Sequence, residues 1–126
     1  MLCLQAGAVV VSLLSGTATL AWMHSVEKTR WEEDWRAGPE GLVLDQARVM
    51  GSGAGMDPPP QARQVGAFWA WTPELSPLSE VIMRRSGATA DWSVCTAAGC
   101  RPMDEIVPPQ ADPVVLTICP VTPQGR

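Results

Sequence analysis

The chain carries one histidine, His24, and it opens the string His24-Ser25-Val26-Glu27-Lys28-Thr29-Arg30-Trp31-Glu32-Glu33-Asp34-Trp35. If this string folds as a hairpin closed on Glu27 to Arg30, Val26 faces Trp31. Antiparallel pairing then sets His24 opposite Glu33 and Trp22 opposite Trp35. A carboxylate between two inward tryptophans is costly to bury as a lone charge, so a direct His24 to Glu33 contact is expected. His24, Ser25, Glu27 and Glu33, joined by Gly53, Gly55 and Asp57 from a glycine-rich segment, form a candidate site for a small anionic, amine or metal ligand. The metal version is thin, because zinc sites generally use several His or Cys and this chain has one His. No metal and no cofactor are predicted. Ser25 adjoins His24, but neighbours on a strand point to opposite faces, so the two do not make a nucleophile and base pair. Catalytic residues are not identified. Three readings of the same residues follow: a binding site, a small hydrolase or other enzyme using His24 with Glu27 or Glu33, and a structural pair in a domain without a ligand.

The segment Gly51-Ser52-Gly53-Ala54-Gly55 has the look of a phosphate loop, yet no Gly-Lys-Ser/Thr follows it. Asp57 and three prolines stand where an anion-binding helix would begin. Its glycines are expected to serve positive φ or close backbone approach. Trp69 and Trp71 share a strand face, and packing against Trp22 or Trp35 is preferred over an exposed aromatic platform. Cys95 and Cys100 flank a hairpin-sized loop and form a candidate disulfide. Cys3 and Cys119 sit in the first and last strands and bridge only if those strands are neighbours. Reduced, buried cysteines are the alternative for a cytosolic protein.

The elements that must position these residues are short strands. The chain has 126 residues, 46% hydrophobic and 17% charged, which suits a single β domain over residues 1–126. Its net charge of -4 and pI near 4.8 count against nucleic-acid binding, which needs basic residues against phosphate. Twelve prolines and eleven glycines cut most of the chain into short pieces. Strands are expected at about 2–5, 8–14, 17–26, 31–36, 42–50, 65–72, 78–85, 91–95 and 113–121. Their spacing predicts a mostly β fold, an antiparallel β-sandwich or small barrel of about eight to nine short strands.

Residues 1–23 carry no charge, and their length alone meets the threshold for a membrane span or export signal. No Lys or Arg precedes the apolar run, and turn chemistry at Ala6-Gly7 and Ser15-Gly16 breaks it. Val9 to Val11, Thr17 and Thr19 favour strands. The segment is therefore read as strands, with the membrane or signal reading as its alternative.

The strings HSVEKTRWEEDW from His24 and GLVLDQARVMGSGAGM from Gly41 resemble domain-of-unknown-function family eighteen-fifty, whose members carry an HSVE-type motif, an acidic pair and a GAG segment. The resemblance spans nearly the whole chain. It implies a protein encoded beside TRAP transporters of the TAXI type in bacteria and archaea, and a periplasmic or extracytoplasmic location. The implied partner is a TRAP/TAXI transporter component or its small-molecule substrate. The resemblance implies no reaction. With Leu2 already in the first strand, no clear signal peptide is expected in this chain, so a cytoplasmic location stays open.

Overall fold

The computed structural model describes residues 1–23, 29–50, 59–85 and 91–120. Among them the strands run, in chain order, β1 (Leu2–Ala6), β2 (Val9–Ser12), β3 (Thr17–Met23), β4 (Arg30–Gly38), β5 (Gly41–Met50), β6 (Arg63–Val65), β7 (Phe68–Trp71), β8 (Val81–Met83), β9 (Ser93–Thr96), β10 (Gly99–Pro102) and β11 (Val114–Ile118). One 3₁₀ turn, Met103–Glu105, follows β10. All pairings are antiparallel, in a four-stranded sheet ordered β2-β1-β11-β8 and a seven-stranded sheet ordered β10-β9-β3-β4-β5-β7-β6. The expected sandwich is the fold; the barrel alternative is not, since neither sheet closes on itself.

The described residues hold more strands than the eight or nine expected, for local reasons. The single strand expected over 65–72 is a hairpin, because Gly66 adopts φ 61 and Gly66-Ala67 form a two-residue turn. Positive φ at the first turn position alone is the II′ geometry that glycine supplies without strain. Gly7, at φ 62, makes the equivalent turn between β1 and β2. Past Cys95 the chain reverses at Ala97-Ala98 and returns as β10, which has no apolar alternation to announce it.

The two sheets meet over side chains from alternate strand positions. Leu2, Leu4 and Ala6 of β1, Met83 of β8, and Val114 and Leu116 of β11 pack against Ala18 and Leu20 of β3, Trp35 of β4, Leu42 and Leu44 of β5, and Val94 of β9. Met103 and Val107 close one side, both buried. Leu42 and Leu78 exchange backbone hydrogen bonds of 2.7 and 2.9 Å. Gly41 beside them has φ 136, and a side chain there would lie 2.7 Å from the Leu78 carbonyl oxygen. Only glycine admits that approach.

Polar clamps fasten the periphery. The Arg85 side chain, 6% exposed, donates to both carboxylate oxygens of Asp91 and to the carbonyls of Pro108 and Ala111 at 2.7 and 2.8 Å. Burial would raise the Asp91 carboxyl, but Arg85 and the Trp92 amide hold it below its ordinary value. Both disulfides form. Cys95 and Cys100 lie directly opposite each other on β9 and β10, and Cys3 joins Cys119 because β1 and β11 are neighbours. The second bridge spans 116 positions, so it withdraws far more freedom from the unfolded chain than the first. Replacing both residues, Cys3→Ser with Cys119→Ser, is expected to lower stability by about 2–5 kcal/mol, read as a fall in the denaturant midpoint with a steeper slope as the unfolded chain expands. An unchanged midpoint would show that this bridge does not constrain the chain.

Candidate functional site

Strand β4 alternates strictly, with Trp31, Glu33 and Trp35 on the inner face and Glu32, Asp34 and Arg36 on the outer one. Its neighbours fix what each residue meets. On β3, Ala18 faces Trp35, Leu20 faces Glu33 and Trp22 faces Trp31. On β5, Leu44 faces Trp35, Ala47 faces Glu33 and Val49 faces Trp31. Further along the sheet Trp71 faces Ala47 and Trp69 faces Val49, while Val94 of β9 faces Leu20.

The result is a row of indoles at one end of the inner face. The Trp92 and Trp22 rings lie 4.8 Å apart, Trp22 and Trp31 stack at 6.1 Å, and Trp31 meets Trp71 edge-on at 6.3 Å. Offset and edge-on aromatic pairs at these distances contribute roughly 0.5–1.5 kcal/mol each beyond their burial. All four are partly exposed, whereas Trp35 is 3% exposed and belongs to the core. Trp92 donates its indole N–H to the Arg84 carbonyl at 2.8 Å, and Trp35 donates to Glu33 Oε1 at 3.1 Å. The indole N–H of Trp31 is buried without a protein partner among the described residues.

Three consecutive acidic residues experience opposite environments. On the outer face Arg48 donates to Glu32 at 2.9 Å and to both oxygens of Asp34 at 2.7 and 2.9 Å; Arg30 adds a bond to Glu32 and Thr19 one to Asp34. Burial pushes both carboxyls up, but these donors hold them below their ordinary values. Glu33 points the other way. Burial raises its carboxyl above the ordinary value, and the hydrogen bond from Trp35, which favours the charged form, offsets only part of that. Among the described residues no cation pairs with it. An acid held in apolar surroundings beside aromatic faces can keep its proton, or give it up to pair with a cation that enters.

Glu33 therefore stands where the sequence placed it, inward between Trp31 and Trp35, but its expected partner does not stand opposite. The register puts Leu20 across from Glu33 and Trp31 across from Trp22, which corrects the expected pairing of His24 with Glu33 and of Trp22 with Trp35. Met23 pairs with Arg30, a register displaced from the one in which Val26 would face Trp31. This register buries Ala18 and Leu20 beside Trp35 and stacks Trp22 on Trp31, a gain the sequence pattern alone did not weigh. His24, Ser25, Glu27, Gly53, Gly55 and Asp57 lie outside the described residues. Met23, Arg30 and Met50, the strand ends that flank those segments, line up at the same end of the sheet as the indole row.

Trp71 is in aromatic contact, with Trp31 in place of Trp22 or Trp35 as expected. Trp31 and Trp92 were not singled out as site residues. For Trp31 the signal was present in the shared face with Glu33; for Trp92 it was the position just ahead of the Cys95 strand. Among the described residues no group of three His, Cys, Asp or Glu is placed to hold a metal ion, and no helix is long and apolar enough to cross a membrane.

A family model described as domain of unknown function (DUF1850) matches residues 18–103, a stretch that contains Glu33 and the whole indole row. No curated protein and no solved structure matches the chain.

The raised Glu33 value has a definite consequence for stability. A carboxyl whose folded value lies above its unfolded one, near 4.5, contributes fully below the unfolded value and loses that contribution as pH rises through the folded one. Glu33→Gln keeps an acceptor for the Trp35 indole and removes the charge. The variant is expected to melt with wild type in acid and above it at neutral pH. Equal melting temperatures at both ends of the pH range would show that Glu33 is solvated.

Proposed function

We propose that this chain, which belongs to the DUF1850 family of domains of unknown function, is a non-catalytic accessory protein outside the cytoplasm that binds a small organic cation for a TRAP/TAXI-type solute uptake system. The observation that carries the ligand class is Glu33: a carboxyl two residues from each inward tryptophan of β4, hydrogen-bonded among the described residues by Trp35, and held above its ordinary value by burial. An ammonium group entering beside it would draw the carboxyl into its charged form and meet the faces of the neighbouring indoles. Such cation–π contacts are worth about 0.5–2 kcal/mol each, more when desolvated. A neutral or anionic ligand gains nothing comparable there.

The uptake role rests on the family's association with TRAP/TAXI transporters. An extracytoplasmic location is supported by the two disulfides, which persist in oxidising compartments and are uncommon in the cytosol. The hydrolase reading uses His24 with Glu27 or Glu33; of these Glu33 lies among the described residues, and its cross-strand neighbours are Leu20 and Ala47.

Two measurements test the two halves of the proposal. Tetramethylammonium is expected to raise the melting temperature of wild type and leave Glu33→Gln unmoved; an equal response in both, or none in either, overturns the cation site. In cells, deletion of the gene is expected to abolish uptake by the adjacent transporter, with restoration by wild type and not by Glu33→Gln. Unchanged uptake in the deletion strain overturns the transport role.

A further inference from the structure

Among the described residues the two sheets expose four edge strands, and three of them are blunted. β6 has three residues and begins with Arg63; β8 has three residues flanked by Glu80 and Arg84; β10 carries Arg101 and ends in Pro102. Charge, proline and shortness are the usual devices that keep edges from pairing with other chains. β2 has none of them. It reads Val9-Val10-Val11-Ser12, its flanks from Ala6 to Gly16 are uncharged and free of proline, and Val9 and Val10 are 45% and 50% exposed.

The ladder shows which backbone groups are open. Leu13 donates its N–H to the Leu2 carbonyl at 2.9 Å, and Met1 accepts from Cys119 on the other side of β1. Bonded and non-bonded pairs alternate in an antiparallel ladder, so Val9 and Val11 bond to β1, and Val10 and Ser12 turn their N–H and C=O groups outward. Beside this edge lies a cleft of about 390 Å³ between the sheets. Val11 and Leu13 form one wall, Val94, Thr96 and Ile106 the other, and Arg101 stands among them. The Arg101 guanidinium donates to the Glu105 carbonyl at 2.8 Å and pairs with no carboxylate among the described residues. At the mouth Leu14 is 78% exposed and held at φ 56, a conformation that L residues adopt at a cost.

We infer that β2 is a docking edge for an extended segment of a partner protein, which adds to the four-stranded sheet and fills the cleft with its side chains. A strand hydrogen-bonded to Val10 and Ser12 sends alternate side chains the way Val9 and Val11 point, over the cleft. Its chemistry follows: apolar residues at alternate positions, and one carboxylate within reach of Arg101. Main-chain bonds supply affinity in this mode, and the side-chain cleft supplies selectivity. A second copy of this chain fits less well. In a β2 to β2 pairing the added strand would be Val9-Val10-Val11-Ser12, whose flanks from Ala6 to Gly16 bring no carboxylate to Arg101.

The test is selection from a random-peptide display library on wild type, Val10→Pro and Arg101→Gln. Proline at position 10 removes an outward N–H and leaves the bonds from β2 to β1 in place, as edge strands tolerate; melting of the variant at the wild-type temperature verifies the fold. Wild type is expected to enrich sequences with apolar alternation and an acidic residue. Val10→Pro should lose that enrichment at least tenfold, and Arg101→Gln should keep the alternation and lose the acidic preference. A synthesised winner should shift the Val10 and Ser12 amide resonances of wild type. Enrichment of the same sequences on Val10→Pro, or winners without alternation, overturns the inference. So does a concentration-dependent wild-type dimer that Val10→Pro abolishes, which would assign the edge to a second copy.

Discussion

A β-strand has no choice about which way its side chains point, and in β4 that constraint decides the rest. Trp31, Glu33 and Trp35 must share one face if Glu32, Asp34 and Arg36 share the other. The outer face is resolved by Arg48, a planar fork that serves Glu32 and Asp34 at once. On the inner face no such donor reaches Glu33 among the described residues. Moving Glu33 outward would take Trp35 out of the core with it, so the fold accepts an acid on its apolar side.

The inner face then divides along its length. Around Trp35, Leu20 and Leu44 the smaller sheet closes over it and the packing is that of an ordinary sandwich core. Toward Trp31 and Trp22 the core cluster gives way to indoles that cover one another and stay partly open. Glu33 sits between these zones. Desolvation by the first and aromatic faces from the second are the two ingredients of a site for a cationic group, and the same strand supplies both. The uncharged edge at β2 lies on the other sheet, and the residues lining the cleft beside it include neither Glu33 nor any of the indoles.

Much of this was legible in the chain. Period-two alternation in Trp31 to Arg36, turn residues at short intervals and the spacing of Cys95 and Cys100 give the sandwich, the inward Glu33 and one disulfide. What escaped was long-range. Nothing local says that β1 and β11 are neighbours, which is what Cys3 and Cys119 require. The β3–β4 register could not be read from turn length, because the stacking of Trp22 on Trp31 and the burial of Leu20 select it. Gly66 did carry a local signal, a glycine inside an apolar run, and it marks a hairpin turn. The raised Glu33 value reflects burial with no paired cation among the described residues, a property of three adjacent strands and not of β4 alone.

The account turns on Glu33 being a half-buried acid on the apolar face that takes up a cation, and its own titration reports this most directly. With glutamate labelled at the side-chain carboxyl carbon, and Glu33→Gln used to assign the resonance, the protein can be titrated by NMR alone and with tetramethylammonium present. The prediction is a midpoint above the ordinary 4.5 in the free protein that falls when the cation is added. A midpoint at or below the ordinary value, unmoved by the cation, would contradict it.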